Sequence, residues 1–312
     1  MTTNDHAIVF TDVAKAYGDF RAVERLSFSV ARGSIYGFLG PNGAGKTTSL
    51  RMILGMIQPS EGTISVLGEP NAMAVRERVG YLPEERGLYR RMTPLETIVY
   101  LAQLKGMHAA PARKKALELL ERFGLGAFAK SRIEALSKGM AQKVQILATI
   151  VHGPELVILD EPFSGLDPVN QQVLEELIVD LRAQGRTVLF STHVMQHAER
   201  LCDRLVLIAR GKGVFEGTLE EAQARMPRTV RLKTRSPAEL LSDLPGVGKV
   251  TLEGGEFELT LANGASGEDL LRACFERHIA LERFDMTEPA LHDIFVSLVG
   301  EGAREADARG RT

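Results

Sequence analysis

The stretch Gly40 to Thr48, GPNGAGKTT, constrains this chain more than any other. A short apolar run, Ser34 to Leu39 (SIYGFL), precedes it and reads as a buried strand; an amphipathic run, Ser49 to Ile57, follows and reads as a helix. A glycine-rich turn in that position is what a phosphate-binding loop requires. Gly40, Gly43 and Gly45 permit positive φ and close backbone approach. The main chain through Pro41, Asn42, Ala44 and Thr48 can therefore ring the β- and γ-phosphates of a nucleoside triphosphate at the positive end of the following helix. Lys46 adds a point charge, and the Thr47 hydroxyl can sit on Mg²⁺. The competing reading, a glycine-rich turn with a solvated lysine, does not account for the strand before it and the helix after it.

A chain of 312 residues exceeds one typical core and suggests about two domains. Its 44% hydrophobic and 25% charged content is that of an ordinary globular protein, and its formal charge of −2 gives no overall electrostatic footprint for nucleic acid. The longest apolar runs, such as Leu156 to Leu159, fall far short of a membrane span, and the polar start MTTNDH is unlike a signal peptide. The chain is accordingly expected in the cytoplasm. Cys202 and Cys274 show no CxxC or His-rich spacing, which favours reduced structural thiols over a disulfide or a metal site.

Alternating runs at Ile8 to Val13 and Leu26 to Val30 suggest half-exposed antiparallel strands, with Tyr17 between them in KAYGDF. An aromatic ring there can stack on an adenine or simply pack at a strand end, and the residues alone leave both open. Gly62 to Leu67 reads as a further strand, and Val79 to Arg91 as a strand end running into a charged loop. From Thr93 to about Val151 the pattern is helical, with Met140, Val144, Leu147, Ala148 and Val151 on one face. Leu156 to Leu159 (LVIL) is a continuous apolar run ending in Asp160-Glu161-Pro162, as expected of a strand buried on both faces with carboxylates at its carboxyl end. Thr187 to Ser191 is the next buried strand and delivers Thr192 and His193 to the same edge. Beyond about Thr218 the order of predicted elements becomes βαββαβ, which suits a small ferredoxin-like domain. The polar stretch Glu301 to Thr312 is expected to be disordered.

Asp160 at the end of a buried strand can hold Mg²⁺ opposite Thr47, and Glu161 is then placed to polarise a water for in-line attack on the γ-phosphate. His193, at the tip of the neighbouring strand, can bond the γ-phosphate or hold that water. GPNGAGKTT, then LSKGMAQKVQ (Leu136 to Gln145), LVILDEPFSGLDP (Leu156 to Pro168) and STH (Ser191 to His193), resemble in order the motifs of ABC transporter ATPase subunits. The resemblance covers roughly residues 6 to 217. It implies an α/β fold: a P-loop NTPase core of the ABC ATPase type with antiparallel β and helical subdomains, joined by a small α+β, ferredoxin-like C-terminal domain. The expected layout is an ATP-binding domain over 1–217, with its helical subdomain at about 86–155, an accessory domain over 218–300 and a tail over 301–312.

The resemblance further implies a homodimer with two ATP molecules sandwiched head to tail, Ser137 and Gly139 of one subunit closing on the phosphate loop of the other. It assigns Asp167 to the loop crossing the dimer seam and Tyr17 to adenine stacking. Two departures stand out. Lys138 and Met140 replace a glycine and a glutamine of the usual LSGGQ, and Glu84 stands where most members carry a glutamine near the nucleotide and its metal. A carboxylate there can accept a bond from Mg²⁺-bound water but adds negative charge beside a triphosphate.

Tyr81 to Met107 (YLPEERGLYRRMTPLETIVYLAQLKGM) and EPALHDIF (Glu288 to Phe295) are similar to the ATPases of bacterial sodium and drug exporters of the NatA type. The function this implies is ATP hydrolysis, with ATP and Mg²⁺ bound, on the inner face of the cell membrane, driving export through a separate integral-membrane permease. The alternative is a soluble ABC-type ATPase acting on ribosomes or nucleic acid. No nucleic-acid partner is expected on the leading reading.

Overall fold

The structure is a computed structural model and describes residues 5–85, 87–262 and 264–309. The first four residues of the polar start, Arg86 and residues 310–312 of the expected tail lie outside the described residues. The chain divides into two compact units, Met1–Thr218 and Leu219–Thr312.

The first unit opens with β1 (His6–Tyr17) and β2 (Phe20–Ala31), a hairpin closed by Gly18-Asp19 with Gly18 at φ 59°. These strands are far longer than their alternating runs suggest. Left-handed residues at Asp12 (φ 48°) and Arg25 (φ 45°) accompany register shifts between the strands and break the alternation without ending the pairing. Next come β3 (Ile35–Leu39), α1 (Lys46–Ile53), β4 (Glu61–Val66) and β5 (Val79–Leu82). The helical layer is α2 (Pro94–Leu104), α3 (Ala109–Arg122) and α4 (Lys138–Ile150). Then follow β6 (Leu156–Asp160), α5 (Pro168–Ala183), β7 (Thr187–Thr192), α6 (Met195–Leu201), β8 (Arg204–Ala209) and β9 (Lys212–Gly217).

A six-stranded sheet in the order β5-β6-β7-β3-β8-β9 is parallel except at β9, and β2-β1-β4 form a separate antiparallel sheet. Every residue of β3, β6 and β7 is buried, which is why their sequences run apolar without alternation. Aromatic rings join the two sheets: Phe28 of β2 lies 5.3 Å from Phe38 and 5.8 Å from Tyr36 of β3, centroid to centroid. Such pairs add about 0.5–1.5 kcal/mol each beyond the area they bury.

The second unit contains α7 (Leu219–Gln223), β10 (Thr229–Thr234), α8 (Ala238–Ser242), β11 (Val247–Glu253), β12 (Glu256–Leu261), α9 (Gly267–Glu276), β13 (Leu281–Thr287) and α10 (Leu291–Arg309). Its four-stranded sheet has the order β11-β12-β10-β13 with every pairing antiparallel, the arrangement a βαββαβ chain makes when each helix crosses one face. Val230, Leu232, Leu241, Leu259 and Leu270 form its core. α10 continues through 301–309, where the sequence reading expects disorder. Ala, Glu and Arg, strong helix formers, make up most of 301–309, with Gly302 and Asp307 the exceptions. No helix among the described residues is long and apolar enough to cross a membrane.

Candidate nucleotide site

The phosphate-loop segment spans β3 and α1, and α1 begins at Lys46 rather than at Ser49. Gly45 is the helix N-cap, at φ 103°, and a Cβ there would lie 2.6 Å from the Ala22 carbonyl oxygen of β2. At Gly40 a Cβ would meet the Ile208 carbonyl oxygen of β8 at 2.2 Å. Both positions therefore exclude any side chain, and the loop is pressed between two strands. No side chain caps α1, and the Ser49 N–H to Gly45 O bond of 3.0 Å opens its ladder. The amides of Lys46, Thr47 and Thr48 precede that bond, a geometry suited to an anion. A cavity of about 360 Å³ lies over the loop, walled by Asn42, Gly43, Lys46, Thr47 and Thr48, and from elsewhere by Phe20, Glu84 and Glu161.

Sheet register brings the chemistry to this edge, with Leu39 level with Thr192 and Asp160 level with Ser191. The Lys46 ammonium is buried, donates to the Gly40 carbonyl at 2.7 Å and the Pro41 carbonyl at 3.3 Å, and lies 3.3 Å from Glu161 Oε1. Glu161 Oε2 is 3.0 Å from His193 Nδ1. One carboxylate thus bridges the loop lysine and the histidine. Glu161 occupies the left-handed region at φ 48°, held there by bonds from its N–H to the Ser191 carbonyl (3.1 Å) and Ser191 Oγ (3.2 Å). A left-handed non-glycine residue at a strand end is strain that the surroundings must enforce, and Ser191 enforces it. Ser191 also donates its hydroxyl to Asp160 Oδ1. Nothing in the sequence reading singled Ser191 out beyond its place in the STH run.

Burial, and then the Glu161 charge, hold the Asp160 carboxyl above its usual value, while the Ser191 and Thr47 hydroxyls and Lys46 pull it down. Asp160 Oδ2 is buried without a directed hydrogen-bond partner. An orphaned carboxylate oxygen beside the Thr47 hydroxyl fits a hard divalent cation. Among the described residues no group of three or more His, Cys, Asp or Glu could hold a metal by itself. The fit is thus to an ion held by Thr47, Asp160, phosphate oxygens and water rather than by an all-protein cage.

The remaining predicted site residues are spread more widely. Tyr17 is 52% exposed at the hairpin tip with Lys15 Nζ 5.1 Å from its ring centre, and it does not wall the cavity. Phe20, paired with it across the turn and 66% exposed, does. Sequence reasoning missed Phe20; its place beside Tyr17 in KAYGDF was the available signal. Glu84 stands on the cavity wall, as Glu161 does. Ser137 caps α4 by accepting the Met140 N–H at 3.2 Å, and Gly139 lies on the first turn of that helix, away from this cavity. Asp167 caps α5, accepting from the Asn170 N–H at 3.0 Å, and that bond holds its carboxyl below the usual range.

Comparison with known proteins bears on the whole chain. The family model described as ABC transporter matches residues 23–164, and the model described as ATP-binding protein DrrA1-3-like, C-terminal domain, matches 217–299. The chain is 40% identical over 303 residues to the "Uncharacterized ABC transporter ATP-binding protein YhaQ" of Bacillus subtilis (strain 168), covering 96% of this chain and 99% of that one. This chain is an ABC transporter ATP-binding protein. As a member of that family it binds and hydrolyses ATP. It is also 38% identical over 299 residues to the Nod factor export ATP-binding protein I of Burkholderia lata, covering 94% of this chain and 97% of that relative. Among solved structures, a dimeric ATP-binding cassette in a post-hydrolysis state with ADP and Pi superposes with a TM-score of 0.63 at 25% identity, covering 68% of this chain and 98% of the other.

Proposed function

We propose that this ABC transporter ATP-binding protein drives export through a separate integral-membrane permease. It works as a homodimer closing on two ATP molecules with Mg²⁺, at the inner face of the cell membrane. The observation that carries this reading is the Glu161 carboxylate, fixed 3.3 Å from Lys46 Nζ and 3.0 Å from His193 Nδ1 at the mouth of the phosphate loop. A carboxylate so placed accepts the proton of a water attacking the γ-phosphate, and His193 orients that carboxylate and the water. Lys46 and the first-turn amides of α1 hold the β- and γ-phosphates and neutralise charge as the terminal P–O bond breaks. Thr47 and Asp160, with Glu84 of the cavity wall, would hold the metal ion. Mg²⁺ supplies charge neutralisation and alignment of the phosphate oxygens.

Ser137 and Gly139, at the positive end of α4, offer a hydroxyl and an amide to the triphosphate held by the second copy, with Asp167 at the seam and Tyr17 beside the adenine. The dimeric cassette described above supports the sandwich, and the relative named for Nod factor export supports the direction of transport. Residues 1–217 act as the ATP-binding domain, with a helical subdomain at about 86–155, and residues 218–300 as an accessory domain; the limits of the two family models support this division.

Co-purification from detergent-solubilised membranes tests the export reading. A tagged chain should carry a polytopic membrane protein with it in fixed stoichiometry, and the pair should hydrolyse ATP faster in proteoliposomes than the chain alone. Recovery with ribosomes or nucleic acid, and no stimulation by any membrane partner, would sink it.

A further inference from the structure

α4 carries a buried polar stripe inside an otherwise apolar helix. Gln142, Gln145 and Thr149, spaced to share one face, are only 7%, 8% and 8% exposed, whereas Val144, Ile146, Leu147 and Ala148 beside them are plain core. The two amide side chains reach main-chain carbonyls outside the helix. Gln142 Nε2 donates to the Pro162 carbonyl at 2.6 Å and Gln145 Nε2 to the Glu85 carbonyl at 3.4 Å, while Thr149 Oγ1 donates to the Gln145 carbonyl of its own helix at 2.9 Å and lies 3.4 Å from the Tyr81 carbonyl. Pro162 directly follows Glu161, and Glu85 directly follows Glu84. The helix capped by Ser137 therefore holds, five residues along, the loop that aims the Glu161 carboxylate.

We propose that Gln142 is a positioning residue that couples the Ser137 end of α4 to Glu161 of the same chain. This rests on the dimer reading above. In that sandwich Ser137 and Gly139 serve the nucleotide on the second copy, while Glu161 serves the nucleotide on its own phosphate loop. Gln142 is thus a direct hydrogen-bonded link between the two sites through one chain. Docking of the second copy's nucleotide against α4 shifts that helix as a rigid body. The short, buried bond to Pro162 carries the shift to the residue next to Glu161. The Glu161 main chain is in a strained left-handed conformation that its surroundings must hold, so a shift in those surroundings moves its carboxylate. Turnover at one site then senses closure at the other, which is cooperativity in ATP.

Gln142→Met keeps the length of the side chain and removes the donor. In the full chain with ATP and Mg²⁺ we expect binding of a fluorescent ATP analogue to stay within about threefold of wild type, and kcat to fall about tenfold as Glu161 loses its alignment on the attacking water. The Hill coefficient should fall from about 2, the number of sites, to about 1. Gln142→Asn, one methylene shorter with its amide kept, should show the same split, and thermal melting checks that both variants are folded. Wild-type kcat and Hill coefficient in a folded variant would overturn the coupling. So would binding and kcat falling together, the pattern of a residue that only stabilises the fold. A wild-type chain that hydrolyses ATP as a non-cooperative monomer would overturn the sandwich itself and the coupling with it. A cooperative wild type with an equally cooperative variant would sink the coupling alone.

Discussion

Glu161→Gln should separate the two tasks proposed for this carboxylate, pairing with Lys46 and activating water. Lys46 Nζ and Glu161 Oε1 are 3.3 Å apart, with side chains 6% and 7% exposed. At an effective dielectric of about 20 that distance corresponds to a gross attraction of about 5 kcal/mol. Breaking a buried pair typically costs about 3–5 kcal/mol. Two features lower the net figure here: Lys46 keeps its bonds to the Gly40 and Pro41 carbonyls, and Asp160 is relieved of a neighbouring negative charge. We therefore expect a loss of about 2–3 kcal/mol without nucleotide, a drop in melting temperature of about 5–10 °C for a unit of this size.

ATP with Mg²⁺ should restore the stability, because the phosphates take over Lys46 without competition from a carboxylate. Turnover should fall by about 10²- to 10⁴-fold, the usual contribution of a general base. The variant should then sediment as a dimer in ATP and as a monomer in ADP. Adding Gly139→Asp, which sets a carboxylate at the end of α4 that is to meet the second copy's phosphates, should return it to monomer in ATP. Differential scanning fluorimetry, single-turnover hydrolysis and sedimentation read these effects. Turnover within a few-fold of wild type would remove Glu161 from the chemistry, an unchanged melting temperature without nucleotide would refute the energetic role of its pair with Lys46, and a double variant still dimeric in ATP would refute the sandwich.

His152 sets a pH limit on the fold. Burial, then the charge of Lys105, with Lys115 and Arg186 beyond, pushes its imidazole down to about 4. The unfolded chain therefore takes up a proton that the folded chain refuses, and stability is lost as pH falls from about 6.5 to about 4, by about 3 kcal/mol unscreened and about 1–2 kcal/mol after screening. Urea melts at pH 7 and pH 5 should show a smaller drop for His152→Phe than for wild type, and equal drops would refute the assignment. At the hairpin tip, replacing both Tyr17 and Phe20 by Ala should weaken ATP binding by about tenfold to a hundredfold, the worth of a stacked base. Unchanged ATP affinity in calorimetry would take this tip out of base recognition.

Where a local physical constraint acts on consecutive residues, the sequence was readable. Continuous burial made LVIL and TVLFS unmistakable, and the βαββαβ order read beyond Thr218 is the order of β10, α8, β11, β12, α9 and β13. Long-range contacts left no such mark. The left-handed bulges at Asp12 and Arg25 hid most of the first hairpin, because each shifts the face on which the next apolar residue falls. The phosphate loop was legible as a motif, yet the start of α1 was not, since Gly45 caps it in a conformation that a pattern of apolar residues cannot reveal. The apolar face of α4 likewise hides Gln142 and Gln145, whose partners are carbonyls 20 and 60 residues away.

The departures at Lys138 and Met140 acquire a physical meaning from the cap of α4. Ser137 accepts the Met140 N–H, so the residue at 140 takes part through its main chain, and exchanging a glutamine side chain for methionine leaves that bond intact. Gly139 retains its place on the first turn, where a Cβ would stand 3.2 Å from Asn170 Nδ2. Lys138 is the first residue of the helix and is exposed. A cation at a helix N-terminus opposes the macrodipole by about 0.3–1 kcal/mol and so works against α4 in isolation. Beside a triphosphate the sign reverses, because the same ammonium then adds to the attraction of the helix end. On the proposed sandwich, the substitution trades some stability of the separate chain for attraction that acts only when a second copy presents its nucleotide. An ATP-closed dimer of this chain should accordingly loosen with added salt more than one made from Lys138→Gly.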